Sequence, residues 1–487
     1  MASGKCFTDL PDEMLLEIFS NLDIEDLAMS VQHVNLHWKD VSQDESLWKN
    51  QTFSPRYKMS DEEIAKHLMN MPALRAFIFS RGTKTKVIID TMCKYCRDIR
   101  HIEFKWSHRL SNSRLQDILK NHPHIENLNI PVPKESDQLD FAGMIGQFQN
   151  LTTLSFTDQY VHTVANGVLK AIAEGCPSLL HLDLGNTTFQ DQDVRYLLER
   201  KGQLLLSFSV RCYISTLAHR LLTECSNLEY LFYENYNEDL PSTYIQFLSK
   251  LSKLHNLTIS YFKQGQTNIQ NIFKKQSLSR LIKLNICFCD GFDDAALTGI
   301  LTNCPQLQFL IFRGNDLSDA GFKHIGTCNN LEHLDIASCA SLTDKSMEYV
   351  GAGCPNLKHL DIGNCSGFTN KSIEYVCTGC QKLKYLDIQQ CPEMTDEVLE
   401  NIFRSKELQV LNLMWNLNLL GINFHMIPSH LVCLTELHVE GCFSIDDKCL
   451  DKLQEEMPHL KIIGSHADNE EPDVDLADAT FFISQLL

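Results

Sequence analysis

The sequence predicts an α/β solenoid preceded by a small helical module. Three observations predict it: a unit of about 26 residues that recurs along most of the chain, an alternation of apolar and polar residues inside each unit, and an N-terminal stretch that does not fit the unit.

The unit is plainest in three segments, Cys328–Cys339, Cys354–Cys365 and Cys380–Cys391, which share C-x-x-L-x-x-L-x-I-x-x-C. Extended along the chain, the pattern has sixteen apolar anchors. They are Leu74, Ile99, Ile125, Leu151, Leu179, Leu205, Leu228, Leu254, Leu281, Leu307, Leu331, Leu357, Leu383, Leu408, Leu434 and Leu460. Fifteen steps separate Leu74 from Leu460, so the period is about 26 residues, inside the leucine-rich-repeat range. The register is weakest near Leu205 and Leu254.

Each unit reads as strand, turn and helix. The L-x-L-x run is a strand with one buried face. Thr343-Asp344, Thr369-Asn370 and Thr395-Asp396 supply helix N-cap chemistry, and Gly353-Cys354-Pro355 closes a helix. One such unit cannot bury its apolar side alone, so neighbours must stack. The expected fold is a right-handed leucine-rich-repeat solenoid, a horseshoe with strands on the concave face and helices on the convex one.

Twelve of the nineteen cysteines occupy two slots of this repeat. Cys96, Cys176, Cys225, Cys304, Cys328, Cys354 and Cys380 lie three residues before an anchor. Cys289, Cys339, Cys365, Cys391 and Cys442 lie eight after one. A small buried side chain suits both slots, and the pattern resembles the cysteine-containing subclass of leucine-rich repeats. Nineteen is odd, and no basic region followed by an apolar one opens the sequence. The expectation is therefore free thiols in the cytoplasm, the nucleus or both.

In the first fifty residues, Leu10-Pro11 precedes a helical stripe of Leu15, Ile18, Phe19 and Leu22. Asp23–Leu27 starts a second helix, Val31, Val34 and Trp38 continue the stripe, and Leu47-Trp48 ends it. Three short helices make a marginal core, so this module should gain stability from a partner or from the adjoining repeats. The stretch 8–53 resembles an F-box, except that Asn35 and Leu36 stand where that family usually has a cysteine and a basic residue. With the repeats behind it, the chain resembles the F-box/leucine-rich-repeat family. The resemblance implies docking of an F-box (5–53) on a Skp adaptor and a cullin scaffold, with repeats (54–465) that hold a substrate for ubiquitin transfer. It implies an adaptor face at Leu10, Pro11, Leu15, Ile18, Phe19 and Leu22, with Leu27, Val31 and Val34 nearby. A non-catalytic interaction scaffold is the alternative.

Side-chain alternation places residues two, four and six after each anchor on the concave surface. Two groups there are candidate substrate contacts. One is aromatic and apolar with basic edges: Arg211, Tyr230, Phe232, Phe309, Ile311 and Arg313. The other is the carboxylate ladder Asp335, Asp361 and Asp387, which either meets a basic substrate segment or bonds to neighbouring backbone or histidine.

No phosphate-binding glycine loop and no H-E-x-x-H is present. Cys93-x-x-Cys96 and Cys377-x-x-Cys380 lack a second pair for zinc. No cofactor, no metal and no catalytic residue is expected. No run of 18 apolar residues is present, so no membrane span is expected. The net charge of −19 disfavours nucleic acid. That charge sits at the ends, however: 8–50 carries −8, and the tail 466–487 carries six acids and no Lys or Arg. The argument is therefore weaker for the repeats. The tail ends apolar, with Phe481, Phe482, Ile483, Leu486 and Leu487, and is expected to cap the last repeat or fold back across the concave face, the alternative being a mobile end that binds a partner.

Overall fold

In a computed structural model the described residues are 10–464, apart from 57–58, 80–84, 106–109, 133–137, 158–161, 165, 212–215, 235–243, 261–269, 274–277, 290–291 and 315–316. The tail 466–487 and the first residues of the F-box-like stretch lie outside them. The chain divides into two compact units, Met1–Thr258 and Ile259–Leu487.

The first unit opens with four short helices: α1 (Asp12–Phe19), α2 (Ile24–Met29), α3 (Leu36–Val41) and α4 (Glu45–Trp48). Their boundaries are written in the sequence. Asp23 caps α2 by accepting from the Asp26 amide, and Asp44 caps α4 through Ser46. Asn35 caps α3, its side chain accepting from the Trp38 amide at 2.7 Å. The departure at Asn35 is thus a helix start. Leu15, Phe19, Leu27, Val31, Leu47 and Trp48 fill the module's core, and Phe19 meets Trp38 edge to face at 5.2 Å. The module also rests on the first repeat: Gln32 Nε2 donates to the Asn70 carbonyl at 2.5 Å, and Phe53 lies 5.8 Å from Phe77.

Beyond it, parallel strands follow one another in chain order. Thr52–Phe53 pairs with Ala76–Phe79, followed by His101–Phe104, Asn127–Ile130, Thr153–Phe156, His181–Asp183, Ser207–Val210 and Tyr230–Glu234. A short parallel pair, His162–Thr163 with Thr187–Thr188, adds a small second sheet.

In the second unit Lys283–Cys287, Phe309–Ile311, His333–Asp335, His359–Asp361, Tyr385–Asp387, Val410–Asn412, Glu436–His438 and Lys461–Ile463 pair in the same way. Here Leu284, Leu310, Leu334, Leu360, Leu386, Leu411 and Leu437 stand in register. All sixteen anchors are buried, including Leu205 and Leu254. The fold is the expected α/β leucine-rich-repeat solenoid behind a helical module.

Two devices join one repeat to the next. On the helix side, an aspartate in one repeat's first helical turn holds the next repeat's N-cap. Asp344 accepts from both the amide and the hydroxyl of Thr369, at 2.9 and 2.8 Å, and Asp319 does the same for Thr343. On the strand side, the cysteine eight residues after an anchor donates to the preceding repeat's strand-end carbonyl. Cys339 Sγ donates to Phe312 at 3.1 Å, Cys365 to Ile336 at 3.4 Å and Cys391 to Ile362 at 3.4 Å. All cysteines among the described residues are free thiols.

Candidate functional site

Two surfaces carry the functional argument. The first is on the N-terminal module. Pro11, Met14 and Ile18 follow the i, i+3, i+4 spacing of a single helix face, and all three are exposed. Val34 and Leu36 (half and four-fifths exposed) lie at the entry to α3, tied to the start of α1 by a His37–Asp12 contact of 2.6 Å. Leu10 and Leu22 are partly exposed.

Leu15, Phe19, Leu27 and Val31 were expected on an adaptor face but are buried. Leu15 and Phe19 lie on the buried side of α1, and Leu27 and Val31 in the segment after it, where all four build the module's core; this corrects their placement. Met14 and Leu36, which the sequence reading leaves out, are also exposed here. Met14 was legible, because it sits between Pro11 and Ile18 on the same stripe.

The second surface is the strand face, and each unit has its own cluster. In the first unit the Arg211 guanidinium lies 4.4 Å from the centre of the Phe232 ring, within 3.8–3.9 Å of Asp183 and Glu234. Tyr230 is partly exposed, and burial pushes its hydroxyl pKa up.

In the second unit four rings follow one another on successive strands, the last three of them stacked. Phe309 and His333 are 5.7 Å apart, His333 and His359 3.9 Å, and His359 and Tyr385 3.9 Å. Lys283 sits 5.0 Å from the Phe309 ring, and Ile311 is partly exposed at the end of its strand. Burial first, then Arg313 and Lys283, pull His333 down to about 4. Burial and the His333 ring likewise lower His359. The stack is therefore neutral at physiological pH, which lets the histidine rings pack face to face.

The carboxylate ladder lies two residues further along the same strands. Asp335, Asp361 and Asp387 are only 3–4% exposed, so they are not free concave-surface groups. Each turns back to its own chain. Asp335 accepts from the Ala337 amide at 3.2 Å, Asp361 from Gly363 at 2.9 Å and Asp387 from Gln389 at 2.9 Å. This is the Asx turn that ends a strand. Asn412 makes the same bond to Met414 at 3.0 Å.

Arg313 bridges two of the carboxylates, with Nε 2.6 Å from Asp335 and Nη2 2.9 Å from Asp361. Asp387 instead accepts from Asn412 at 2.7 Å and from the Tyr385 hydroxyl at 3.2 Å. Burial, then repulsion from Asp361, raises both Asp335 and Asp387 to about 7.

Burial also keeps the thiols protonated. Cys93 is pushed up to about 11 and Cys96 to about 12; Cys377 and Cys380 reach about 11 and 12. Among the described residues no group of His, Cys, Asp and Glu could hold a metal. Among them, too, no helix is long and apolar enough to cross a membrane.

The comparisons agree with this anatomy. The family described as F-box-like matches residues 7–54, and the family described as Leucine Rich repeat matches 327–351. Over 93 residues the chain is 30% identical to the ubiquitin ligase complex F-box protein Ufo1 of Saccharomyces cerevisiae, covering 18% of this chain and 14% of that protein. Over 78 residues it is 27% identical to F-box/LRR-repeat protein 5 of Danio rerio, covering 15% of this chain and 12% of that protein. The chain thus spans only a small fraction of the curated relatives it matches. A chain in the crystal structure of the yeast Rad7–Elc1 complex shares its fold, with a TM-score of 0.51 and 15% identity over 94% of each chain. This chain joins an F-box-like module to leucine-rich repeats, as F-box/LRR-repeat proteins do.

Proposed function

We propose that this chain is the substrate-receptor subunit of a Skp–cullin–F-box ubiquitin ligase. The N-terminal module would dock on the Skp adaptor, and through it on the cullin. The repeats would hold a protein substrate. One observation carries the reading. The segment that matches the F-box-like family has a filled core and still leaves Pro11, Met14, Ile18, Val34 and Leu36 in solvent. So many apolar side chains on so small a module fit a partner surface.

The mechanism is proximity. A receptor fixes a substrate lysine beside a charged conjugating enzyme and raises its effective concentration, with no bond made or broken by the receptor itself. The chain's chemistry suits that role: its buried thiols are held protonated, which makes them poor nucleophiles.

For the substrate, the two strand-face clusters are the proposed contacts. Aromatic rings and arginine are typical binding anchors, as at Phe232 with Arg211, and a second ring, Phe309, lies beside Lys283. The buried Asp335, Asp361 and Asp387 support the contact surface from the ends of the same strands. Cytoplasm and nucleus both accommodate the chain's free thiols.

Co-purification tests the reading. The full chain should bring down a Skp adaptor and a cullin, and the double change Leu10→Ala, Pro11→Ala should weaken that association several-fold. A chain that associates with neither is a scaffold without a ubiquitin role.

A further inference from the structure

The loops that follow the strands of the second unit carry a feature the strand face does not explain. The seventh residue after each anchor has positive φ: Phe288 (52°), Gly314 (64°), Ser338 (63°), Asn364 (57°), Gln390 (50°), Trp415 (59°) and Gly441 (74°). Glycine suits this region, and a bulky side chain there is an outlier. Phe288 and Trp415 hold it although neither is buried, at 44% and 43% exposed. Each ring lies against the glycine of the next repeat. A Cβ on Gly314 would collide with the Phe288 ring, and one on Gly441 would come within 2.6 Å of Trp415 Cε3. Two repeats thus hold a large aromatic side chain in a disfavoured backbone conformation and leave it half in solvent. The repeat's own turn imposes this backbone conformation; what sets these two positions apart is a large aromatic side chain left half in solvent.

Around Trp415 the surface is a built platform. Phe443, 72% exposed, meets the Trp415 ring edge to face at 5.9 Å. Leu417, Leu420 and Ile422 are all exposed. Their loop is pinned: the Leu420 and Ile422 amides both donate to Asp396 at 2.9 Å, and Ser444 Oγ donates to the Leu417 carbonyl at 3.1 Å. Single exposed apolar residues are ordinary, whereas five within two neighbouring, pinned loops fit a contact surface.

The chain supplies a fitting occupant. Gly464, the last described residue, packs against Glu440: a Cβ there would lie 2.5 Å from Glu440 Cα. Glu440 immediately precedes Gly441, on which the Trp415 ring rests. Further along, residues 481–487 read Phe-Phe-Ile-Ser-Gln-Leu-Leu, and six acids with no Lys or Arg lie between Ser465 and Phe481. The sixteen residues 465–480 can reach up to about 50 Å, while two strand spacings, about 10 Å, separate the exit from Trp415. A tethered segment with that reach has a millimolar effective concentration, enough to saturate a weak apolar contact.

We infer that residues 481–487 dock on the platform of Trp415, Leu417, Leu420, Ile422 and Phe443, with Phe481 and Phe482 against the two exposed rings. This contact is independent of the adaptor reading. It keeps these exposed apolar side chains out of water.

Hydrogen exchange at 415–422 and 441–444 tests it, in three proteins: the full chain, a chain ending at residue 479, and the full-length double variant Phe481→Ser, Phe482→Ser. Both variants keep every repeat residue, so their circular dichroism should match the full chain, and each should melt a few degrees lower because the segment binds only the folded repeats. Exchange in both loops should rise at least tenfold in each variant, and a synthetic peptide of residues 478–487 at millimolar concentration should restore protection. Equal exchange in all three proteins overturns the inference. Protection that grows with protein concentration also overturns it, because a second copy would then be the occupant.

Discussion

Arg313 and Asp361 stand two repeats apart, yet a guanidinium nitrogen of one lies 2.9 Å from a carboxylate oxygen of the other. The same side chain holds Asp335 on the intervening repeat. Three repeats are therefore tied through one cation, and the two carboxylates are nearly sealed from water. Arg313→Met should leave those carboxylates buried without their counter-charge. The cost should be about 2–4 kcal/mol, below the fully buried case because the guanidinium keeps solvent contact. Urea denaturation checks this, and adding Asp361→Asn to Arg313→Met should recover part of the loss.

Asp387 gives a prediction in pH. Its carboxyl is raised to about 7, by burial first and then by Asp361. Between pH 4 and 7 the folded chain holds a proton that the unfolded chain has released, so this group's contribution falls as pH rises through that window. Asp387→Asn should remove the penalty, because an amide oxygen can still accept from the Gln389 amide. Asn412 already does the equivalent one repeat on. The expected gain is about 1–3 kcal/mol at pH 7.5, vanishing near pH 4. Melting temperatures of both proteins across that range measure it.

The helix side has its own close approach. A Cβ on Gly379 would collide with the backbone of Gly351, as one on Gly353 would with Gly326. Backbone cannot move aside as a side-chain tip can, so Gly379→Ala should destabilise by about 2–3 kcal/mol. Gly143 makes the control, since nothing lies within 4 Å of a Cβ placed there. Gly143→Ala should be neutral or stabilising by up to about 1 kcal/mol. Chemical denaturation midpoints separate the two.

The cysteines divide by exposure. Cys433 is exposed, whereas Cys339, Cys365 and Cys391 are sealed and hydrogen-bonded to the preceding repeat. Iodoacetamide at pH 7.5 should label Cys433 in the native protein and reach the other three only under denaturing conditions. Mass spectrometry of the modified peptides reads the difference, and native labelling of Cys365 would contradict the packing described.

The repeat frame was legible because one spacing, set by the anchors, fixes strand, turn and helix together. Even Leu205 and Leu254, where the pattern is faint, lie buried. The chemistry of the strand face was less legible. Alternation places Asp335 and Phe309 on one face, but only the coordinates show the carboxylate folding back to its own backbone while the ring stays partly open. The module's two stripes were also entangled in sequence. Leu15 and Ile18 are equally apolar, and only packing decides that the first is core and the second faces water. Positive φ at Trp415 has no sequence signal of its own beyond the glycine one repeat later.

The central claim is that the exposed stripe of α1 docks a Skp adaptor. Titration calorimetry of the purified full chain with that adaptor tests it most directly, comparing wild type with Ile18→Glu. Ile18 is already in solvent, so the variant should melt as wild type does while its affinity falls at least tenfold. No binding by the wild type, or equal affinity in the two proteins, would contradict the account.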